Sequence, residues 1–97
     1  MNLTEQVEAA KRLQTLWDFL FADLKFPQPI PRQFLVWLEL YGEKSAEQGF
    51  SRANAWVHKV TRERRITLDD LIRYASACAR NLKEEADKAK AVPNGIR

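Results

Sequence analysis

The sequence predicts an all-α protein folded as a compact bundle of about four helices. Apolar residues recur at spacings of three and four in four segments, which is the period of an amphipathic helix. No segment shows the apolar–polar alternation of a strand. Proline and glycine, which interrupt helices, fall between the segments. We therefore expect helices near residues 4–24, 31–41, 43–60 and 67–90.

The first helix is expected to begin with Thr4 as its N-cap and to end near Leu24. Its apolar stripe includes Leu13 and Trp17. Residues 26–31 contain three prolines, and each removes a backbone donor and keeps the preceding residue out of the α region. This segment is therefore predicted to be a stiff, extended connector.

The next two helices are separated by Gly42, a natural helix stop. The helix before it is apolar on nearly its whole circumference, so it is either central in a core or partly covered by a partner, and a 97-residue domain can surround few helices completely. We expect self-association, most simply as a two-fold dimer. The apolar residues outside the main stripes, which are the candidates for this surface, are Phe19, Leu35, Val36 and Leu40.

Small residues at Ala46, Gly49 and Ala53 should allow the third helix to approach a neighbour closely. The fourth helix opens with Thr67 and Asp70, spaced as a capping box in which Asp replaces Glu. Combining the stripes gives a predicted core that comprises Trp17, Phe34, Trp37, Leu38, Phe50, Val57, Leu71, Ile72 and Ala75.

The 97 residues fit one domain, residues 1–97, whose last six residues, 92–97, are expected to fray. The single cysteine cannot form an intramolecular disulfide, which favours a reducing compartment. The N-terminal residues lack a signal-peptide pattern, and every apolar run is shorter than a membrane-spanning helix requires. These observations predict a cytoplasmic protein that does not enter a membrane.

The side chains needed for catalysis are scarce. His58 is the only histidine, and it is expected on the solvated surface. One histidine and one cysteine cannot by themselves form a structural zinc site. No glycine-rich phosphate loop is present. We therefore expect no enzymatic activity, no cofactor and no metal ion.

The charge is unevenly distributed along the chain. The net charge is +3, yet residues 52–83 carry eight basic and three acidic residues, a net charge of +5. A basic segment of this kind favours an anionic partner. The alternative is that these cations only solvate helix faces.

Arg52, Trp56 and Lys59 have spacings of four and three, which place an indole between two cations on one side of a helix. Such an arrangement can hold a phosphate backbone and stack a base. The alternative is that Trp56 packs under a neighbouring helix, covered by the stems of the two cations. The predicted nucleic-acid contacts are Arg52, Trp56, Lys59, Arg62, Arg64, Arg65, Arg73 and Arg80.

The second half of the chain resembles the C-terminal helical domain of DnaD-type replication-initiation proteins. That domain ends in a helix with the pattern Tyr-x-x-x-Ile-x-x-x-Trp, and Tyr74, Cys78 and Leu82 stand at the three positions here. The apolar helix that ends at an aromatic–glycine step, residues 34–42, also resembles the family. The resemblance covers roughly residues 28–85. It implies a non-enzymatic accessory of DNA replication that binds DNA and partner proteins.

These observations favour two alternative functions. The first is a nucleic-acid-binding replication accessory of a phage or other mobile element. The second is a small helical protein–protein adaptor or homodimer without a nucleic-acid role. A continuous face formed by the cations of residues 52–83 would favour the first function, and scattered cations would favour the second.

Overall fold

The computed structural model describes residues 2–91, and it describes their side chains as far as Ala89. This part of the chain folds into three helices and no strand: α1 (Leu3–Leu20), α2 (Pro31–Val60) and α3 (Leu68–Ala91). The all-α class is confirmed. The expected number of about four helices is corrected to three, because the predicted second and third helices are consecutive parts of α2. The predicted fraying of residues 92–97 lies outside the described residues.

A sharp bend at Gly42 divides α2 into an N-terminal arm, residues 31–41, and a C-terminal arm, residues 43–60. Gly42 has φ 81° and ψ 161°, a conformation that is open to glycine and strained for other residues. In a straight helix the 13 steps from Trp37 to Phe50 would span about 20 Å. The two ring centroids are 4.8 Å apart instead. The helix therefore folds back, and its two arms pack together.

The helix ends differ in part from the predictions. Asn2, not Thr4, caps α1, because its side-chain oxygen accepts the Glu5 backbone N–H at 2.8 Å. The helix stops at Leu20 rather than Leu24, since residues 21–24 already turn towards the proline-rich connector. No described helix is long and apolar enough to span a membrane.

The capping box at the start of α3 is confirmed. The Asp70 backbone N–H donates to Thr67 Oγ1 at 3.1 Å, and the Thr67 N–H donates to Asp70 Oδ2 at 2.9 Å. These two reciprocal bonds satisfy donors that the first turn of a helix otherwise leaves free.

The core forms where α1 meets both arms of α2. Trp17 stacks on Trp37 with ring centroids 5.3 Å apart, and Phe34 and Phe50 surround this pair. The Trp37 Nε1–H donates to Ser76 Oγ at 2.7 Å, which ties the N-terminal arm to α3. Eight predicted core residues are buried, namely Trp17, Phe34, Trp37, Leu38, Phe50, Val57, Leu71 and Ala75. Ile72 is only partly buried, because it packs at the edge of the core.

Helices α1 and α3 each pack against α2, and in residues 2–91 they make no contact with each other. The predicted close approach is confirmed at Gly49, where an added Cβ would lie 2.9 Å from the Ala79 backbone nitrogen. Ala46 and Ala53, about one turn to either side, are fully buried. The C-terminal arm and α3, joined by the turn at residues 61–67, form an α2–α3 hairpin that presents one long flank to solvent.

Candidate nucleic-acid interface

The exposed flank of the α2–α3 hairpin carries a stacked aromatic pair. The rings of Trp56 from α2 and Tyr74 from α3 lie 4.1 Å apart at an interplanar angle of 5°, and both side chains are partly buried. Tyr74 covers one face of the indole. The indole therefore packs on a neighbouring helix, as one of the two interpretations predicted, and it also keeps exposed surface.

The residues that contact α1 lie on a different side of the C-terminal arm. Glu43 accepts hydrogen bonds from Arg12 of α1 at 2.6 and 2.9 Å. His58 contacts Asp23 in the segment that follows α1. The flank with Trp56 is therefore free of α1 and remains open.

Beside the aromatic pair is a shallow recess of about 310 Å³ lined by Trp56, Arg64, Asp70, Arg73 and Tyr74. The turn before α3 positions Arg64, since its backbone N–H donates to the Val60 carbonyl at 2.9 Å and the nearby Ile66 is buried. The first two turns of α3 supply three more residues of the recess, namely Asp70, Arg73 and Tyr74. Two guanidinium groups and one carboxylate thus surround the exposed part of the aromatic pair.

The carboxylates near this recess are already engaged. Asp69 pairs with Arg73 at 2.9 Å, and both side chains are largely exposed. Hydrogen bonds from Thr67 lower the pKa of Asp70, and the nearby charges of Arg64 and Arg73 lower it further. Both arginines and Asp70 line the same recess.

Arg52 lies at the other end of the aromatic pair. Burial raises the pKa of the Tyr74 hydroxyl and of the Cys78 thiol, and the Arg52 charge opposes both shifts. Because Arg52 precedes Trp56 by one helical turn, it lies on the side of the pair that is away from the turn at residues 61–67. Lys59 shares the side of α2 that carries Arg52 and Trp56, as their spacing requires.

The remaining predicted contacts do not line the recess. Arg62 is four residues after His58, and its charge opposes the rise in the pKa of His58 that hydrogen bonds to Asn54 and Asp23 cause. Arg80 is two turns beyond Arg73 on α3, and Arg65 is exposed in the turn. All seven predicted cations are exposed, namely Arg52, Lys59, Arg62, Arg64, Arg65, Arg73 and Arg80. Those near the aromatic pair are Arg52, Lys59, Arg64 and Arg73.

Sequence reasoning missed two members of this surface. Tyr74 entered only through the family pattern, and Asp70 only as a helix cap. A signal for Tyr74 exists, because it is an aromatic residue outside the apolar stripe of α3. In an antiparallel hairpin, residues at similar distances before and after the turn lie side by side. Trp56 precedes the turn by about as many residues as Tyr74 follows it, so the two side chains can be expected to meet.

The residues predicted to mediate self-association do not share one face. Leu35 lines a groove with Leu3 and Val7 of α1. Leu40, five residues further on, points about 140° away around the helix. Phe19 is exposed on α1, whereas Val36 is partly buried.

The other family-pattern residues, Cys78 and Leu82, are both partly buried on α3, and Cys78 is a free thiol. In the described residues, no three His, Cys, Asp or Glu side chains are grouped so that they could hold a metal ion.

No protein-family model matches this chain, and neither a curated protein nor a solved structure matches it. The resemblance to DnaD-type proteins therefore stays a prediction. The function proposed below rests on the geometry of the hairpin.

Proposed function

We propose that this protein is a non-enzymatic helical module that binds nucleic acid through the exposed flank of the α2–α3 hairpin. One observation carries the proposal: the Trp56–Tyr74 pair lies at the surface beside a recess that Arg64 and Arg73 line, and Arg52 is one helical turn before Trp56 on α2. Cations that follow a phosphate backbone, combined with aromatic rings that stack bases, are the usual means of binding single strands.

Two of these cations are available to a ligand. Among residues 2–89, neither Arg52 nor Arg64 forms an ion pair, while Arg73 pairs with Asp69. Guanidinium groups donate paired hydrogen bonds that match phosphate oxygens. An anionic backbone that crosses the hairpin would meet these groups in succession.

The similarity of residues 28–85 to the C-terminal domain of DnaD-type proteins extends the proposal to DNA replication. The protein would then be a cytoplasmic replication accessory of a phage or other mobile element, and DNA would be its nucleic acid. Within residues 2–89 we identify no set of side chains placed to read base edges in a major groove, so we expect little sequence preference.

A second candidate function, a protein–protein adaptor or homodimer, is favoured by the groove between α1 and the N-terminal arm of α2. Three apolar residues in its walls are exposed to solvent: the exposed fraction is 74% for Leu3, 39% for Val7 and 40% for Leu35. Exposed apolar side chains in one groove are typical of protein-binding surfaces.

Fluorescence anisotropy with a labelled DNA strand tests the first function. Binding should weaken steeply with salt, because phosphate contacts release counterions, with a log–log slope of roughly −3 to −5. Replacing Arg52 and Arg64 with Ala should weaken binding to all sequences alike and flatten the slope by up to about 2.

The matched control replaces two exposed cations outside the hairpin, Lys11 on α1 and Arg32 on the N-terminal arm, with Ala. This control removes the same charge and should change the slope little. If both double variants lose affinity equally, the binding follows net charge and the hairpin surface is not the site. If no binding is seen at about 50 mM salt with tens of micromolar protein, the nucleic-acid function is wrong.

A further inference from the structure

We infer that the recess between Trp56, Tyr74, Arg64, Arg73 and Asp70 seats one unpaired nucleotide of the bound strand, its base parallel to the aromatic pair and its phosphate on the two arginines. This inference rests on the proposed function and names the part of the nucleic acid that the site selects. The phosphate-backbone contacts alone would not discriminate between single strands and duplexes.

The aromatic pair is already a short column of parallel rings. The two rings are within 5° of parallel, with centroids 4.1 Å apart, and both side chains retain exposed surface beside the recess. An unpaired base extends such a column by lying against its free side. Stacking of this kind tolerates any base, because every base has a π face.

The two arginines at the recess can hold the phosphate of the same nucleotide. Arg64 and Arg73 both line the recess, so both guanidinium groups are within reach of one ligand there. Arg73 is held by Asp69 at 2.9 Å, with 78% and 65% of the two side chains exposed. Such an exposed ion pair is weak, so a phosphate can take the place of Asp69 on Arg73.

The rings and arginines of the recess favour an unpaired nucleotide over a duplex or a phosphorylated peptide. A volume of about 310 Å³ is at the small end of the range for ligand pockets. A base in a duplex is stacked on both faces and must leave the helix to reach the rings. A phosphorylated peptide would use the arginines and leave the parallel rings without a planar partner. The recess therefore suits an unpaired nucleotide.

The test compares three labelled ligands of equal length: an oligothymidylate strand, an abasic deoxyribose-phosphate strand and a duplex. We expect the oligothymidylate strand to bind about tenfold or more tightly than the abasic strand. The variant Tyr74→Leu should lose most of this preference and keep its affinity for the abasic strand. Tyr41→Leu, which removes the other tyrosine, on the N-terminal arm, is the matched control and should keep the preference.

A second measurement uses the unaltered protein, in case a variant folds poorly. Trp17 and Trp37 are only 3% and 0% exposed, so quenching of tryptophan fluorescence by a bound strand reports mainly on Trp56. Oligothymidylate should quench this fluorescence, and the abasic strand at equal saturation should not.

The Asp69→Asn variant tests the phosphate position. It frees Arg73 and should tighten binding of both the oligothymidylate and the abasic strand by up to about fivefold at low salt.

The outcomes separate the two proposals. Equal affinity for all three ligands, with no effect of Tyr74→Leu, would overturn the nucleotide seat and leave the backbone-binding function standing. Tighter binding of a phosphoserine peptide than of oligothymidylate would overturn the seat as well. Failure of every nucleic-acid ligand to bind would overturn both proposals.

Discussion

At the scale of the residue, the protonation state of His58 is linked to two contacts of its ring. Its Nδ1 lies 2.8 Å from the Asn54 carbonyl oxygen, and its Nε2 lies 3.1 Å from Asp23 Oδ2. A carbonyl and a carboxylate oxygen can only accept, so both ring nitrogens donate when the imidazole is protonated. These bonds raise the pKa of His58 against the effects of burial and of the Arg62 charge.

A pH dependence of stability follows from this pKa. Because the pKa of His58 is higher in the folded than in the unfolded state, its contribution is complete below about pH 6.5, the unfolded value. The contribution is lost as the pH rises through the folded-state pKa. Urea melts of the wild type and of His58→Gln from about pH 5.5 to 8.5 should show a stability difference that shrinks with rising pH. A difference independent of pH would mean that the Asp23 contact does not depend on protonation.

At the scale of the element, the bend in α2 depends on one backbone conformation. Gly42 has φ 81°, and an added Cβ would have no atom within 4 Å, so a side chain there would strain the backbone without a clash. We expect Gly42→Ala to lower the free energy of unfolding by about 1–3 kcal/mol, measured by denaturant melts. Lys44→Ala, an exposed helical position two residues later, should change it by less than about 0.5 kcal/mol.

The contact between the C-terminal arm and α3 depends on a different property of glycine. A Cβ on Gly49 would lie 2.9 Å from the Ala79 nitrogen and 3.0 Å from the Ala75 oxygen, both backbone atoms that cannot rotate away. We expect Gly49→Ala to destabilise the protein by about 1–3 kcal/mol despite the higher helix propensity of alanine. The exposed neighbour Gln48→Ala is the control, and a Gly49→Ala variant as stable as this control would show that α3 can shift without cost.

At the scale of the whole molecule, α2 forms the centre, with α1 and α3 packed on it separately. The fold is flat, with Cα extents of 49 × 35 × 17 Å. A thin molecule has broad faces and little core between them. The hairpin flank and the α1–α2 groove, which involve different helix pairs, can therefore act as two separate surfaces.

The groove between α1 and the N-terminal arm of α2 is a better site for the predicted self-association than the surface around Leu40. Leu35 lines this groove together with other apolar residues, and Leu40 does not. We expect light scattering at high protein concentration to give twice the chain mass. The substitution Leu35→Glu should return the protein to a monomer, whereas Leu40→Glu, at a residue that is 53% exposed, should not. A monomeric wild type at every concentration would contradict the dimer.

Local sequence features account for the helical class, the proline-rich connector, the helix break at Gly42, the capping box of Thr67 and Asp70, and most of the core. These features are local, because side-chain period, proline chemistry and capping depend on residues within one or two turns of each other. The packing of the helices against one another sets how the two arms of α2 meet after the break at Gly42, places Tyr74 on one face of Trp56, and brings Arg64 and Arg73 to one recess. These features depend on the angles and distances at which separate helices pack, and no periodicity within a single helix encodes them.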